Sequence, residues 1–180
     1  MNGYKVVIAN SAGFLFSEDT VNCDMSASTE TSCTFPAIAL SGSPFSLQGG
    51  DQIVAKVSAI NRAGEGEFSE PGSGGIYVTA PTAPRFVLND ADNTTPTQIG
   101  LTWTQPQSNG GAAILAYQVW GMADGESNFK KLGDETLETS LIATDILTDV
   151  IYQIKVQARN EVGWSPGSSV VEMIAGAQPR

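Results

Sequence analysis

From Tyr152 to Arg159 the side chains alternate, with Tyr152, Ile154, Val156 and Ala158 set between Gln153, Lys155, Gln157 and Arg159. A two-residue period puts the two sets on opposite faces of an extended chain, which predicts a half-buried antiparallel strand. Asn160 and Gly163 then supply turn chemistry, and Pro166 marks the approach to the next strand. The pattern occurs a second time from Ile53 to Ser69. Placing Asn61 over Asn160 aligns Val57 with Val156, Ala59 with Ala158 and Gly64 with Gly163. This repeat divides the chain into two domains of about 90 residues, a size that can bury a core with little stability to spare.

Shorter periodic runs fill in the rest. Tyr4 to Ile8 reads as a strand, Asn10 to Gly13 as a turn and Phe14 to Phe16 as the next strand. Glu18 to Ser32 is polar and reads as a long loop. Cys33 to Leu40 has strand character broken by Pro36, which suggests an edge strand or a bulge. Ile76 to Thr79 closes the first domain, and Ala80 to Pro84 follows as a proline-rich connector expected to be stiff and to hold a preferred orientation. Beyond it, Phe86–Leu88, Gln98–Thr104, Ile114–Gly121, Phe129–Leu132, Leu141–Ala143, Tyr152–Asn160 and Ser168–Ile174 read as seven short strands. Their even spacing predicts a β-sandwich.

Composition narrows the function. The net charge is −10, which disfavours nucleic acid and anionic membrane surfaces and favours solubility. Histidine is absent, and with it the commonest general base and metal ligand. No run of about 18 apolar residues predicts membrane insertion. The N-terminal MNGYKVVIANSAG lacks the tripartite pattern of a signal peptide. Cys23 and Cys33 lie in a Ser/Thr-rich segment, and an even count favours one local disulfide and an extracellular, oxidising compartment. The alternative is a pair of reduced thiols in a cytosolic loop, and a metal site lacks further ligands.

Trp103, the run Ile114-Leu-Ala-Tyr-Gln-Val119, and Tyr152 with Val156, Ala158, Asn160 and Gly163 together resemble a fibronectin type III domain. The resemblance covers Pro81 to Ile174 and implies a sandwich core filled by Trp103 and Tyr117, with Tyr152 making the corner hydrogen bond of that fold. The implied fold class is all-β, two tandem immunoglobulin-like sandwiches: residues 81–180 a complete domain, residues 1–80 a partial one. In the partial domain Ile53 stands where the corner tyrosine belongs, and the Tyr4–Asn61 interval is fourteen residues longer than Tyr117–Asn160. Strands A and B have no counterpart before Tyr4. Without them the inner faces of Tyr4–Ile8 and Ile53–Ala59 are expected to meet water, at roughly 25 cal/mol per Å2, leaving a sandwich unstable alone. Ile174–Arg180 repeats the pattern of the Thr79–Arg85 connector. The stretch therefore reads as a window on a longer tandem array, or as a subunit completed by strands of a neighbour. The cysteine segment is also similar to repeats in large secreted or surface proteins of ciliated protists.

Candidate chemistry is sparse. Asn93-Thr94-Thr95 is a glycosylation sequon in the loop expected between the first two strands of the second domain. Asp90, Asp92 and Asn93 offer oxygen ligands for Ca2+ but lack the Asp-x-Asp-x-Asp-Gly spacing. Glu18/Asp19, Asp134/Glu135 and Asp145/Asp149 are paired carboxylates of the kind glycoside hydrolysis uses, yet they fall in turns and strand ends with no aromatic or arginine cluster. Trp120, one residue past the inward Val119, and Trp164, in the turn after Tyr152–Asn160, are expected on the surface as interface anchors. No cofactor is expected and no enzyme activity. The expected function is an extracellular structural module, a spacer or filament building block that associates with itself or with neighbouring repeats. A ligand-binding or adhesion module of a receptor, and an accessory domain of an extracellular enzyme, are the alternatives.

Overall fold

The computed structural model describes residues 1–176 and is all-β, in two compact units, Met1–Val78 and Thr79–Arg180. The repeat of the proline connector at 177–180 lies outside the described residues.

Unit 1 is one antiparallel sheet with a folded cover. Its strands are β1 (Gly3–Ala9), β2 (Phe16–Glu18), β3 (Gln52–Asn61), β4 (Gly64–Glu65) and β5 (Gly72–Ile76), with a short helix, α1 (Ala37–Ser41), between β2 and β3. They run in the order β2-β1-β3-β4, and β5 also pairs with β3. Phe14 and Leu15, expected in a strand, are exposed in the turn before β2. Cys33–Leu40, expected as an edge strand, instead leads into α1: Pro36 (φ −66°) ends the extended run and the Ala-Ile-Ala-Leu that follows has good helix propensity. The closing strand ends at Ile76 rather than continuing to Thr79.

Alternation puts Tyr4, Val6 and Ile8 of β1 on one face with Ile53, Ala55, Val57 and Ala59 of β3. Among the described residues no second sheet faces them. The inner face does not simply meet water, however. Leu40, Phe45, Leu47 and Tyr77 bury Ile8 in a cluster against which Phe35, Ile53 and Ala55 pack. At about 1.5–3 kcal/mol for each large apolar side chain removed from water, this cluster stabilises one half of the sheet. The segment between β2 and β3 thus covers part of this sheet face, while Val57, further along it, is 40% exposed.

Unit 2 is a two-sheet sandwich. Strands β6 (Arg85–Thr95), β7 (Gln98–Thr104) and β10 (Ser140–Ala143) form one sheet. Strands β8 (Ala116–Ala123), β9 (Lys130–Thr136), β11 (Ile151–Arg159) and β12 (Val171–Ile174) form the other, in the order β12-β11-β8-β9. Ile99, Leu101 and Trp103 face Tyr117, Val119, Ile154, Val156 and Ala158 across a buried core. Trp103 meets Tyr117 edge-on, 5.6 Å between ring centroids. The Tyr152 hydroxyl accepts a hydrogen bond from the Leu147 backbone N–H at 3.1 Å, the expected corner bond.

The proline connector is bound into unit 2. Thr79 N–H donates to the Gly110 carbonyl (2.8 Å) and Thr82 N–H to Ser108 (2.9 Å). The Asn160 side-chain amide donates to the carbonyls of Thr79 (2.6 Å) and Asn109 (2.9 Å). Gly110, at φ +74°, lets these backbones approach, since a Cβ there would collide with the Thr79 oxygen.

Candidate interaction surfaces

The paired carboxylates serve local structure. Asp19 accepts from the Val21 and Asn22 backbones and from the Asn22 amide, which hold its carboxyl below the usual range. Glu135 binds Arg159 at 3.0 Å and Lys131 at 3.8 Å. Asp145 and Asp149 sit in the left-handed region at φ 59° and 57°, shaping the loop before β11. Asp90 accepts from the Asn93 amide at 2.8 Å, and no group of three or more metal-ligating side chains occurs among the described residues. Asn93 lies within β6 rather than in a loop, because that strand continues through a register irregularity between Asp90 and Thr95; its side chain is exposed. None of the described helices is long and apolar enough to cross a membrane.

Cys23 and Cys33 form a disulfide, with Cα atoms 5.8 Å apart. The segment it closes is tied to the sheet at one end: the Tyr4 N–H donates to the Met25 carbonyl at 2.8 Å. Gly3 lies so close beneath that a Cβ would strike the Met25 and Ser26 carbonyl oxygens. Asp24, accepting from Ser26 through both backbone and hydroxyl, has its carboxyl held low by those bonds. Two short acceptor-centred turns and one disulfide therefore shape a polar segment that lacks any apolar period of its own.

Trp120 and Trp164, both expected on the surface, lie on the outer side of the β8–β11 sheet, each beside a cation, and only Trp164 is exposed. Trp120 pairs across the sheet with Lys155 and Lys131, and the Lys131 ammonium lies 5.9 Å from its ring. Trp120 is half-buried, and its indole N–H makes no hydrogen bond among the described residues. Trp164 bridges back to Arg159, whose guanidinium lies 5.3 Å from the ring, and it is 37% exposed. Such contacts are worth about 0.5–1 kcal/mol at exposed sites and keep the ring edges oriented.

A site that the sequence reading missed lies in unit 1. Between the disulfide segment and the sheet is a half-open cavity of about 130 Å3, with Tyr4, Val6 and Val57 on the sheet side and Met25, Cys33 and the polar Glu30, Thr31 and Ser32 on the other. Its sheet residues have exact counterparts in register: Tyr4 pairs with Ala59 and Val6 with Val57, as Tyr117 pairs with Ala158 and Val119 with Val156. Val119 and Val156 are fully buried.

The Fibronectin type III domain model matches residues 82–174. A titin homolog of Caenorhabditis elegans is 30% identical over 124 residues, 66% of this chain and 1% of its own length. Contactin-4 of Homo sapiens is 29% identical over 126 residues, 69% of this chain and 12% of its own. The chain therefore spans a small part of these relatives. A solved structure of domains from titin covers 97% of this chain and 55% of that one at TM-score 0.56 and 21% identity, a likeness of fold. Since the matched residues span more than half of the chain and coincide with the sandwich that holds Trp103 inward and makes the Tyr152 corner bond, the chain belongs to the fibronectin type III family.

Proposed function

We propose that the chain is a non-catalytic structural module of a secreted or surface-attached protein, a spacer or building block in a tandem array. Residues 1–80 would be a partial fibronectin type III domain and residues 81–180 a complete one. The observation that carries this reading is the connector: hydrogen bonds of Thr79, Thr82 and Asn160 hold the proline-rich segment against unit 2, which supports its reading as a junction between repeats. The disulfide supports an oxidising compartment, where the exposed Asn93 would carry a glycan. In such an array the neighbouring repeats would be the partners, and a likeness of the cysteine segment to repeats of ciliate surface proteins is part of the proposal.

The test is the reduced, denatured mass of the native polypeptide, with and without glycosidase. A mass many times 18.8 kDa supports the array. A mass near that value overturns it.

Trp164 supports a second reading, an adhesion module, because its exposed ring is already held in place by Arg159. That reading requires Trp164→Ala to abolish binding of the native protein to cells or matrix that bind the unaltered protein.

A further inference from the structure

The repeat supplies an internal comparison for the outer face of the β9–β8–β11 sheet. Lys155, its ammonium 4.1 Å from the Phe129 ring, is matched in register by Lys56, 4.5 Å from Phe16 in unit 1. That pair is common to both units and so belongs to the module. Four other positions of the same face differ in kind. Where unit 1 has Val7, Glu18, Ile60 and Glu65, unit 2 has Trp120, Lys131, Arg159 and Trp164 in the same register. Unit 1 thus presents two carboxylates at these positions, and unit 2 two cations and two indoles, in a chain whose net charge is −10. We propose that this face of unit 2 binds a polysaccharide whose rings carry carboxylates, a uronate polymer. Lys155 takes a carboxylate, and the Trp120 and Trp164 rings take the sugar faces.

The face already holds one carboxylate. Glu135 lies between Arg159 at 3.0 Å and Lys131 at 3.8 Å, so two cations share a single acid. Lys155, on the other side of Trp120, has no ion-pair partner among the described residues, although acids outnumber bases 19 to 9 in the chain. The cross-strand row Lys131–Trp120–Lys155 therefore sets a ring between two lysine-bearing strands about 10 Å apart. An indole face is electron-rich and accepts the polarised C–H groups of a sugar ring, while a flanking ammonium takes the acid in a charge-assisted hydrogen bond. Gly167 keeps the lysine uncovered: a Cβ there would press on the Lys155 Cδ at 3.1 Å, and unit 1 has Phe68 at the matching position.

A polypeptide partner is served less well. Trp120 and Lys155 stand on β8 and β11, interior strands whose backbone groups are used in the sheet ladder. An added strand would find no backbone donors or acceptors there. Side-chain contacts alone, ring against ring and acid against cation, are what the face provides, and a polymer that repeats both matches it. The proposal rests on the adhesion reading of Trp164 and names a ligand class for it.

The probe is a fluorescein-labelled oligogalacturonate, titrated by fluorescence anisotropy against the oxidised 180-residue protein, with far-UV circular dichroism checking each variant. The expected result is saturable binding that weakens about ten-fold or more in Lys155→Gln and survives Lys155→Arg. Lys130→Gln removes the same charge from a lysine outside the row, and Lys56→Gln removes it from the shared pair in unit 1. Both should bind like the unaltered protein. Absence of binding overturns the proposal, as does an equal loss in Lys130→Gln or Lys56→Gln, which would make the effect one of net charge. Equal binding of labelled neutral dextran would remove the role of the acid, and equal competition by polyglutamate would make an acidic polypeptide the partner; each overturns it. Lys155-dependent binding of dextran sulfate without binding of oligogalacturonate overturns the carboxylate. Cell attachment lost on Trp164→Ala, with no oligogalacturonate bound, overturns the ligand class and leaves the adhesion reading standing.

Discussion

The Tyr152 hydroxyl accepts from the Leu147 N–H and so ties the start of β11 to the loop that precedes it. Tyr152→Phe keeps the buried ring and removes only that acceptor. Unit 2 should lose about 1 kcal/mol, read as a lower denaturation midpoint with an unchanged urea slope. Tyr117 gives the complementary case. Its ring is buried, its hydroxyl makes no hydrogen bond among the described residues, and burial pushes its pKa above the ordinary value of 10.0. A raised folded-state pKa means the contribution to stability is complete below the ordinary value and is lost as pH rises through the folded one. Ultraviolet titration should therefore show a component that ionises above 10.0 together with loss of the sandwich signal, and Tyr117→Phe should remove it. The same titration curve in Tyr117→Phe would contradict the assignment.

At the scale of elements, the disulfide segment matters most, because it covers a sheet face that the remainder of unit 1 leaves partly open. Replacing Cys23 and Cys33 by serine should cost unit 1 about 2–3 kcal/mol through the freed ten-residue loop. The diagnostic is local: hydrogen exchange at the Tyr4 amide, bonded to Met25, should accelerate far more than exchange at Tyr152 in unit 2. The strands of unit 2 were legible because alternation, aromatic residues and turn signals agree along the chain. The register of the repeat was legible for the same reason, since Val57 and Val156 carry the same local pattern. Helix α1 was not, because five residues after a proline are too few for a helical period to show. The cavity was not legible either. It exists only where the polar, aperiodic Cys23–Cys33 segment folds back, and nothing in its composition says which sheet residues it will cover.

For the molecule as a whole, charge and cover respond to acid in different pH ranges, which makes them separable. A net charge of −10 opposes the non-specific clustering that exposed Phe14, Ile38, Phe86 and Leu137 would favour at neutral pH. That repulsion vanishes near the pI of about 4.2. The turns of the disulfide segment persist further, because hydrogen bonds hold the Asp19 and Asp24 carboxyls below their ordinary 3.8. A depressed folded-state pKa contributes stability above the unfolded value and loses it as pH falls through the folded one, so these two turns weaken below pH 3.8. Light scattering should accordingly rise near pH 4.2 and reverse on return to pH 7, with no uptake of an apolar dye such as ANS by the open sheet face. Dye uptake should begin only at lower pH, where the molecule is cationic and again monodisperse. Asp19→Asn with Asp24→Asn removes the titrating groups while keeping an acceptor oxygen at each turn, and should abolish the acid-induced part of the dye uptake while shifting the scattering maximum only slightly. If dye uptake and scattering instead rise together in both proteins, the cover is lost with the charge, and the two carboxylates do not hold it.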